Sequence, residues 1–128
     1  MSRVLLDTDV LIDLLRGRGP ARTFLLGVTE HSIPCCSVIS VAEIYAGMRP
    51  DERSPTEALL DGLVVFAVTR PIAELAGQFR SRSKGRRLEL ADCLIAATAV
   101  VEGATLATGN ARDYPMPEVT LLVARRQQ

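Results

Sequence analysis

The stretch LADCLIAATAVVEGATLAT, residues 90–108, decides the fold class. Its first part is apolar on every side of a helix: Leu94, Ile95, Ala96, Ala97, Ala99, Val100 and Val101 leave no polar face between them. Such a helix belongs in an interior. The apolar run over 93–101 is too short to cross a bilayer, so that interior is a protein core. Gly103 is placed to close the helix in a left-handed conformation. Residues 104–108 then read as a strand. A buried helix feeding straight into an apolar strand is the building unit of an α/β fold.

Working outward, the same alternation recurs. Residues 3–6 form a short apolar strand that ends at Asp7. Over 8–16, Val10, Leu11, Leu14 and Leu15 fall at helical spacing, and Gly17 and Gly19 stop that helix. Pro20 opens the next helix, through 28. Residues 31–38 read as a second strand and 40–48 as a helix whose stripe is Val41, Ile44, Tyr45 and Met48. A polar turn, 49–55, leads to a helix over 56–63, a β-branched strand over 64–68 and a helix over 71–83. Residues 119–123 make a last strand. There is no repeat and no linker, so residues 1–128 read as one domain. Strands separated by helices predict a mainly parallel sheet, and such sheets gather ligands outside the carboxyl ends of their strands.

Composition narrows the function classes. With 48% hydrophobic and 23% charged residues, the chain resembles an ordinary globular domain and not a disordered one. Basic and acidic residues balance to a formal net charge of +0, so any polyanion must be met by a local basic patch. Cys35, Cys36 and Cys93 have no CxxC spacing and no neighbouring His, and read as small buried hydrophobes of a reducing compartment. The adjacent pair should point to opposite faces of its strand. Asp7, Asp9 and Asp13 interrupt the apolar N-terminal stretch, which argues against a signal peptide and for a cytoplasmic protein.

The acidic residues carry the chemistry. Asp7 closes the first strand and suits a helix N-cap equally well. Asp9 and Asp13 read as solvated helix residues. Glu43 fits a capping box that begins at Ser40, yet it points away from the apolar stripe and is ringed by Ala42, Ala46 and Gly47, which leave room for a ligand. Asp92 enters the core helix and must be paired, capped or metal-bound. Asn110 and Asp113 follow the strand at 104–108, as a capped turn or as a further oxygen cluster. Carboxylates converging at one sheet edge repel each other. An oxygen-only donor set selects Mg²⁺ or Mn²⁺ to relieve that repulsion, and the accompanying chemistry is phosphodiester hydrolysis.

The segments VLLDTDVLID, SVISVAEIYAG, LADCLIAATA and LATGNARDY resemble, in order and spacing, the signature segments of PIN domains, and most of all those of the VapC toxins. The resemblance implies an α/β, PIN-like three-layer fold with a mainly parallel central sheet of about five strands flanked by helices. It implies a Mg²⁺-dependent endoribonuclease, with Mn²⁺ able to substitute. It further implies a homodimer neutralised by a cognate VapB-like antitoxin in a higher assembly. Carried over by position, it puts metal ligation on Asp7, Glu43, Asp92 and Asn110 and catalysis on Asp7, Glu43 and Asp92; Asp113 is close enough to substitute at the fourth position and is counted with the catalytic acids. Many family members have Asp where this chain has Asn110, a departure that bears on a second metal and not on the first. Thr8 and Thr108 match small hydroxyl positions that bind a water or a phosphate. Arg82, Lys84, Arg86 and Arg87, in the basic loop before Asp92, and Arg112 are the expected RNA contacts.

Two rivals remain. The strand-Asp-x-Asp of Asp7 and Asp9 also resembles haloacid-dehalogenase-type phosphatases, but the single lysine, Lys84, sits in a loop and Glu43 would have no role. A non-catalytic PIN-like module would be free to lose its acids, and this chain keeps Asp7, Glu43 and Asp92.

Overall fold

The computed structural model describes residues 1–124. In chain order the elements are β1 (Ser2–Leu6), α1 (Thr8–Leu15), α2 (Gly19–His31), β2 (Ser32–Ser37), α3 (Val38–Gly47), α4 (Arg53–Asp61), β3 (Val64–Phe66), α5 (Arg70–Arg82), α6 (Leu90–Val101), β4 (Ala104–Thr108) and β5 (Leu121–Val123). Short 3-10 turns lie at Pro50–Glu52 and Ala111–Asp113. The five strands form one sheet in the order β3-β2-β1-β4-β5, and every pairing is parallel.

Strand alternation builds a three-layer core. Val4 and Leu6 point to one face of β1 and Leu5 to the other, and all are buried. On Leu5's face, Leu106 packs with Ile72, Ala76 and Phe79 of α5 and with Cys93, Ile95 and Ala96 of α6. On the opposite face, Val4, Leu6 and Ala107 pack with Val10 and Leu11 of α1, Val28 of α2 and Ile44 of α3. Each fully buried Leu contributes about 1.5–3 kcal/mol. Cys35 and Cys36 divide between the two layers, as their adjacency predicts. Helix α6 is the core helix the sequence foretold: Cys93 and the run from Ile95 to Ala99 are buried, and Gly103 closes it at φ +65.

Several local expectations need correcting. Helix α3 starts earlier, at Val38, and its N-cap is Ser37, whose side chain accepts from the Ile39 amide. Ser40 is therefore inside the helix and buried, and Glu43 closes no capping box. Tyr45, expected in the core stripe, is exposed, because α3 buries only Ser40 and Ile44. Asp13 is not solvated: it is buried and bound to Arg18 at 2.6 Å. The strand expected over 64–68 is confined to Val64–Phe66, since this edge strand pairs only with β2.

This topology places the site. From β1 the chain steps to β2 and β3 on one side, then returns to β4 on the other. The crevice between the carboxyl ends of β1 and β4 is the switch point where an open parallel sheet receives ligands.

Candidate active site

Asp7 follows the last residue of β1 and stands at that switch point. Its amide donates to the Ala107 carbonyl at 2.9 Å, so sheet pairing fixes its backbone. Its Oδ1 accepts from the Thr8 amide at 2.8 Å, capping α1, and its Oδ2 accepts from Thr108 Oγ1 at 2.8 Å. The capping role and the site role are thus one arrangement. Burial raises the Asp7 pKa, and the donors from Thr108, Tyr114 and Thr8 counter it only in part.

Thr8, the first residue of α1, reaches across to α3. Its hydroxyl donates to Glu43 Oε1 at 2.7 Å and lies 2.9 Å from Ser40 Oγ. Asp92, in the first turn of α6, is half-buried, and its pKa is pushed up to about 6. Burial is the largest cause, followed by the charges of Asp113, Asp7, Glu43 and Glu89. Acids from three other parts of the chain therefore bear on Asp92 at one corner of the sheet. Among the described residues, no three His, Cys, Asp or Glu side chains stand close enough together to hold an ion as they are.

Two residues here were missed. Asp9 Oδ2 accepts from the Gly109 amide at 2.9 Å and from Asn110 Nδ2 at 3.2 Å, tying the loop after β4 to α1. The Asp-x-Asp spacing was its only signal. Tyr114 is 3% exposed, and its hydroxyl sits in the field of Asp7 and Asp92. Oη lies near enough to Asp7 to lower that acid's pKa, yet it closes no hydrogen bond of good geometry. Burial and the acids together push the phenol far above its usual range. No sequence signal separates such a Tyr from an ordinary core aromatic.

Residues 4–118 match the family model of the PIN domain. The chain belongs to the PIN-domain family. Ribonuclease VapC10 of Mycobacterium tuberculosis is 42% identical over 117 residues, spanning 90% of this chain and 88% of the relative. A chain in a toxin–antitoxin complex from Klebsiella pneumoniae is 29% identical, with a TM-score of 0.78 over 91% of this chain and 95% of that one. VapBC2 from Rickettsia felis, solved bound to a fragment of promoter DNA, shares the fold. Its TM-score is 0.84 over 94% of this chain and 97% of that chain, at 22% identity.

Within this PIN domain the expected basic contacts separate into two groups. Arg86 approaches the acids, with Nη2 3.8 Å from Asp113 Oδ1. With Arg112, Asn110 and Asp113 it lines an open cavity of about 420 Å³. Lys84 and Arg87 are exposed on the same loop. Arg82 instead turns to Glu118, at 2.7 Å. Asn110 is exposed, and its amide nitrogen is committed to Asp9. Among the described residues, no helix is long and apolar enough to cross a membrane.

Proposed function

We propose that this PIN domain is a Mg²⁺-dependent endoribonuclease, with Mn²⁺ able to substitute, and the toxin of a VapBC-type pair. The observation that carries the reading is the half-buried Asp92 at the switch point, on which the charges of Asp113, Asp7 and Glu43 converge. Oxygen-only donors that repel one another fit a hard divalent cation. Mg²⁺ keeps part of its water shell when one or two carboxylates hold it, so the acids need not all touch the ion directly. Asp7, Glu43 and Asp92 would hold the ion. Asp113 is a stronger fourth group than Asn110, because its charge is the largest felt by Asp92 and Asn110 is turned toward Asp9. When bound, the cation supplies an activated water and neutralises charge on the phosphate.

The remaining roles belong to the chain itself. Thr108 and Thr8 fix the Asp7 and Glu43 carboxylates through their hydroxyls. Arg86, Lys84, Arg87 and Arg112 meet the RNA phosphates along the side of the site opened by the basic loop. The whole chain acts as one domain in the cytoplasm, as a homodimer bound by a VapB-like antitoxin. The relatives named VapC, and the toxin–antitoxin complexes that share this fold, support the antitoxin partner.

The test is cleavage of total RNA by purified protein, followed by mapping of the new ends. Mg²⁺ or Mn²⁺ should support cleavage, excess EDTA should abolish it, and Asp7→Asn should disable it in a folded protein. Undiminished cleavage by protein shown free of metal, in excess chelator, overturns the metal-dependent reading.

A further inference from the structure

Arg82 occupies the place of an expected phosphate contact, but its charge is already matched. Its Nη2 donates to Glu118 Oε2 at 2.7 Å, and its guanidinium carbon lies 5.1 Å from the centre of the Phe79 ring. The guanidinium is bonded to the carboxylate and lies over the aromatic ring. Its side chain is still 54% exposed. A flat, pre-ordered guanidinium with its charge countered is a poor phosphate hook and a good stacking surface.

That surface belongs to a cavity of about 300 Å³, whose apolar wall includes Phe79, Leu88 and Met116 and whose cationic members include Lys84 and Arg86. Arg86 also lines the cavity beside Asp113, so the pocket adjoins the acidic corner through one shared side chain. The volume lies at the lower end of the range for small-ligand sites, about 300–1,000 Å³. It suits one flat base and excludes a paired helix.

We propose that this pocket receives a single unpaired nucleobase of the RNA strand, stacked on the Arg82 guanidinium, with the adjoining phosphate on Lys84 and Arg86. The inference rests on the ribonuclease reading and deepens it by assigning a base-holding subsite beside the scissile position. Apolar walls with a cationic edge complement a nucleotide, which is apolar on its base faces and anionic at its phosphate. A paired base presents no open face and would not enter.

The test uses the full chain carrying Asp92→Asn, so that the strand stays whole. A short single-stranded oligoribonucleotide is labelled with 2-aminopurine at successive positions, and the fluorescence of the label falls when it stacks. One position should quench strongly on binding, and the same label in a duplex should not. Arg82→Lys keeps the charge and loses the plane. It should abolish that quenching and weaken binding about fivefold, near the lower end of what base stacking contributes. Glu118→Gln frees the guanidinium and should also reduce quenching. If Arg82 is instead a phosphate contact, Arg82→Lys will bind as the parent does, Glu118→Gln will bind more tightly with a steeper salt slope, and the proposal falls. Salt-dependent RNA binding with no quenched position overturns the base pocket alone and leaves the cavity to an apolar peptide. Absence of any RNA binding overturns the ribonuclease reading as well. Both substitutions are at exposed side chains, and thermal melting verifies the fold.

Discussion

Replacing Asp92 with Asn should stabilise the metal-free protein, and only where the acid is ionised. Asp92 has a folded-state pKa of about 6 against an ordinary 3.8. Between those values the folded protein keeps a proton that the unfolded chain has released. Stability therefore falls as pH rises through that window and stays level above it. A shift a little over two units corresponds to roughly 3 kcal/mol at about 1.36 kcal/mol per unit. The carboxyl is only half-buried, and solvent screening reduces this to about 1–2 kcal/mol. Asp92 also lies in the first turn of α6, where losing its charge gives back roughly 0.5 kcal/mol of helix-dipole stabilisation. The net gain for Asp92→Asn is then about 1 kcal/mol, or roughly 3–6 °C in Tm at this chain length. Urea unfolding followed by circular dichroism in EDTA, from about pH 4 to about pH 8, measures it. The gain should be absent at the acid end and full at the alkaline end. A loss of stability at every pH, or a gain independent of pH, would refute the argument that burial, with charge crowding behind it, penalises the ionised acid.

The other predictions concern its neighbours. Glu43→Gln should abolish cleavage while changing apo stability by no more than about 0.5 kcal/mol, as for other surface substitutions, because Ser37 and not Ser40 caps α3; full activity with lost stability would restore the capping reading. Tyr114→Phe should weaken Mn²⁺ binding about tenfold, the lower bound for removing a group that orients a metal ligand. It should leave apo stability unchanged or raised, since Oη meets Asp7 without a hydrogen bond of good geometry and its burial is poorly compensated; calorimetric titration with Mn²⁺ and apo melting separate this from a structural role. Asp13→Asn should cost about 1–2 kcal/mol through the weakened bond to Arg18, with Mn²⁺ affinity unmoved; a changed affinity would place Asp13 in the site.

The fold was legible because its strongest signals are local. An all-apolar helix closed by a glycine and followed by an apolar strand admits few architectures, and α6–β4 stands where residues 90–108 place it. Asp7 was legible for the same reason, since the carboxyl end of a buried strand marks a parallel sheet's ligand edge. What escaped were choices made by tertiary contacts. Ser37 and Ser40 are both competent caps, and Ser37 prevails because β2 ends there, with Ser40 packed inside and 2.9 Å from Thr8. Asp9 looked solvated because the Gly109 amide that engages it is 100 residues away. Arg82 looked like its basic neighbours until Glu118 and Phe79 were seen beside it. Tyr114 ends the segment LATGNARDY, but nothing in that segment marks it from a core aromatic; its burial beside Asp7 and Asp92 does.

The bond between Asp7 and Thr108 joins residues 101 apart, and it has a consequence for synthesis. A chain emerging from the ribosome presents Asp7 and Glu43 long before β4 exists. Until β4 arrives and pairs with β1, Asp7 lacks the hydroxyl that orients it, and Asp92 has no crevice to face. Chains that stop before β4 carry the early acids but no assembled centre. The fold itself withholds that centre until β4 has been made and has paired with β1.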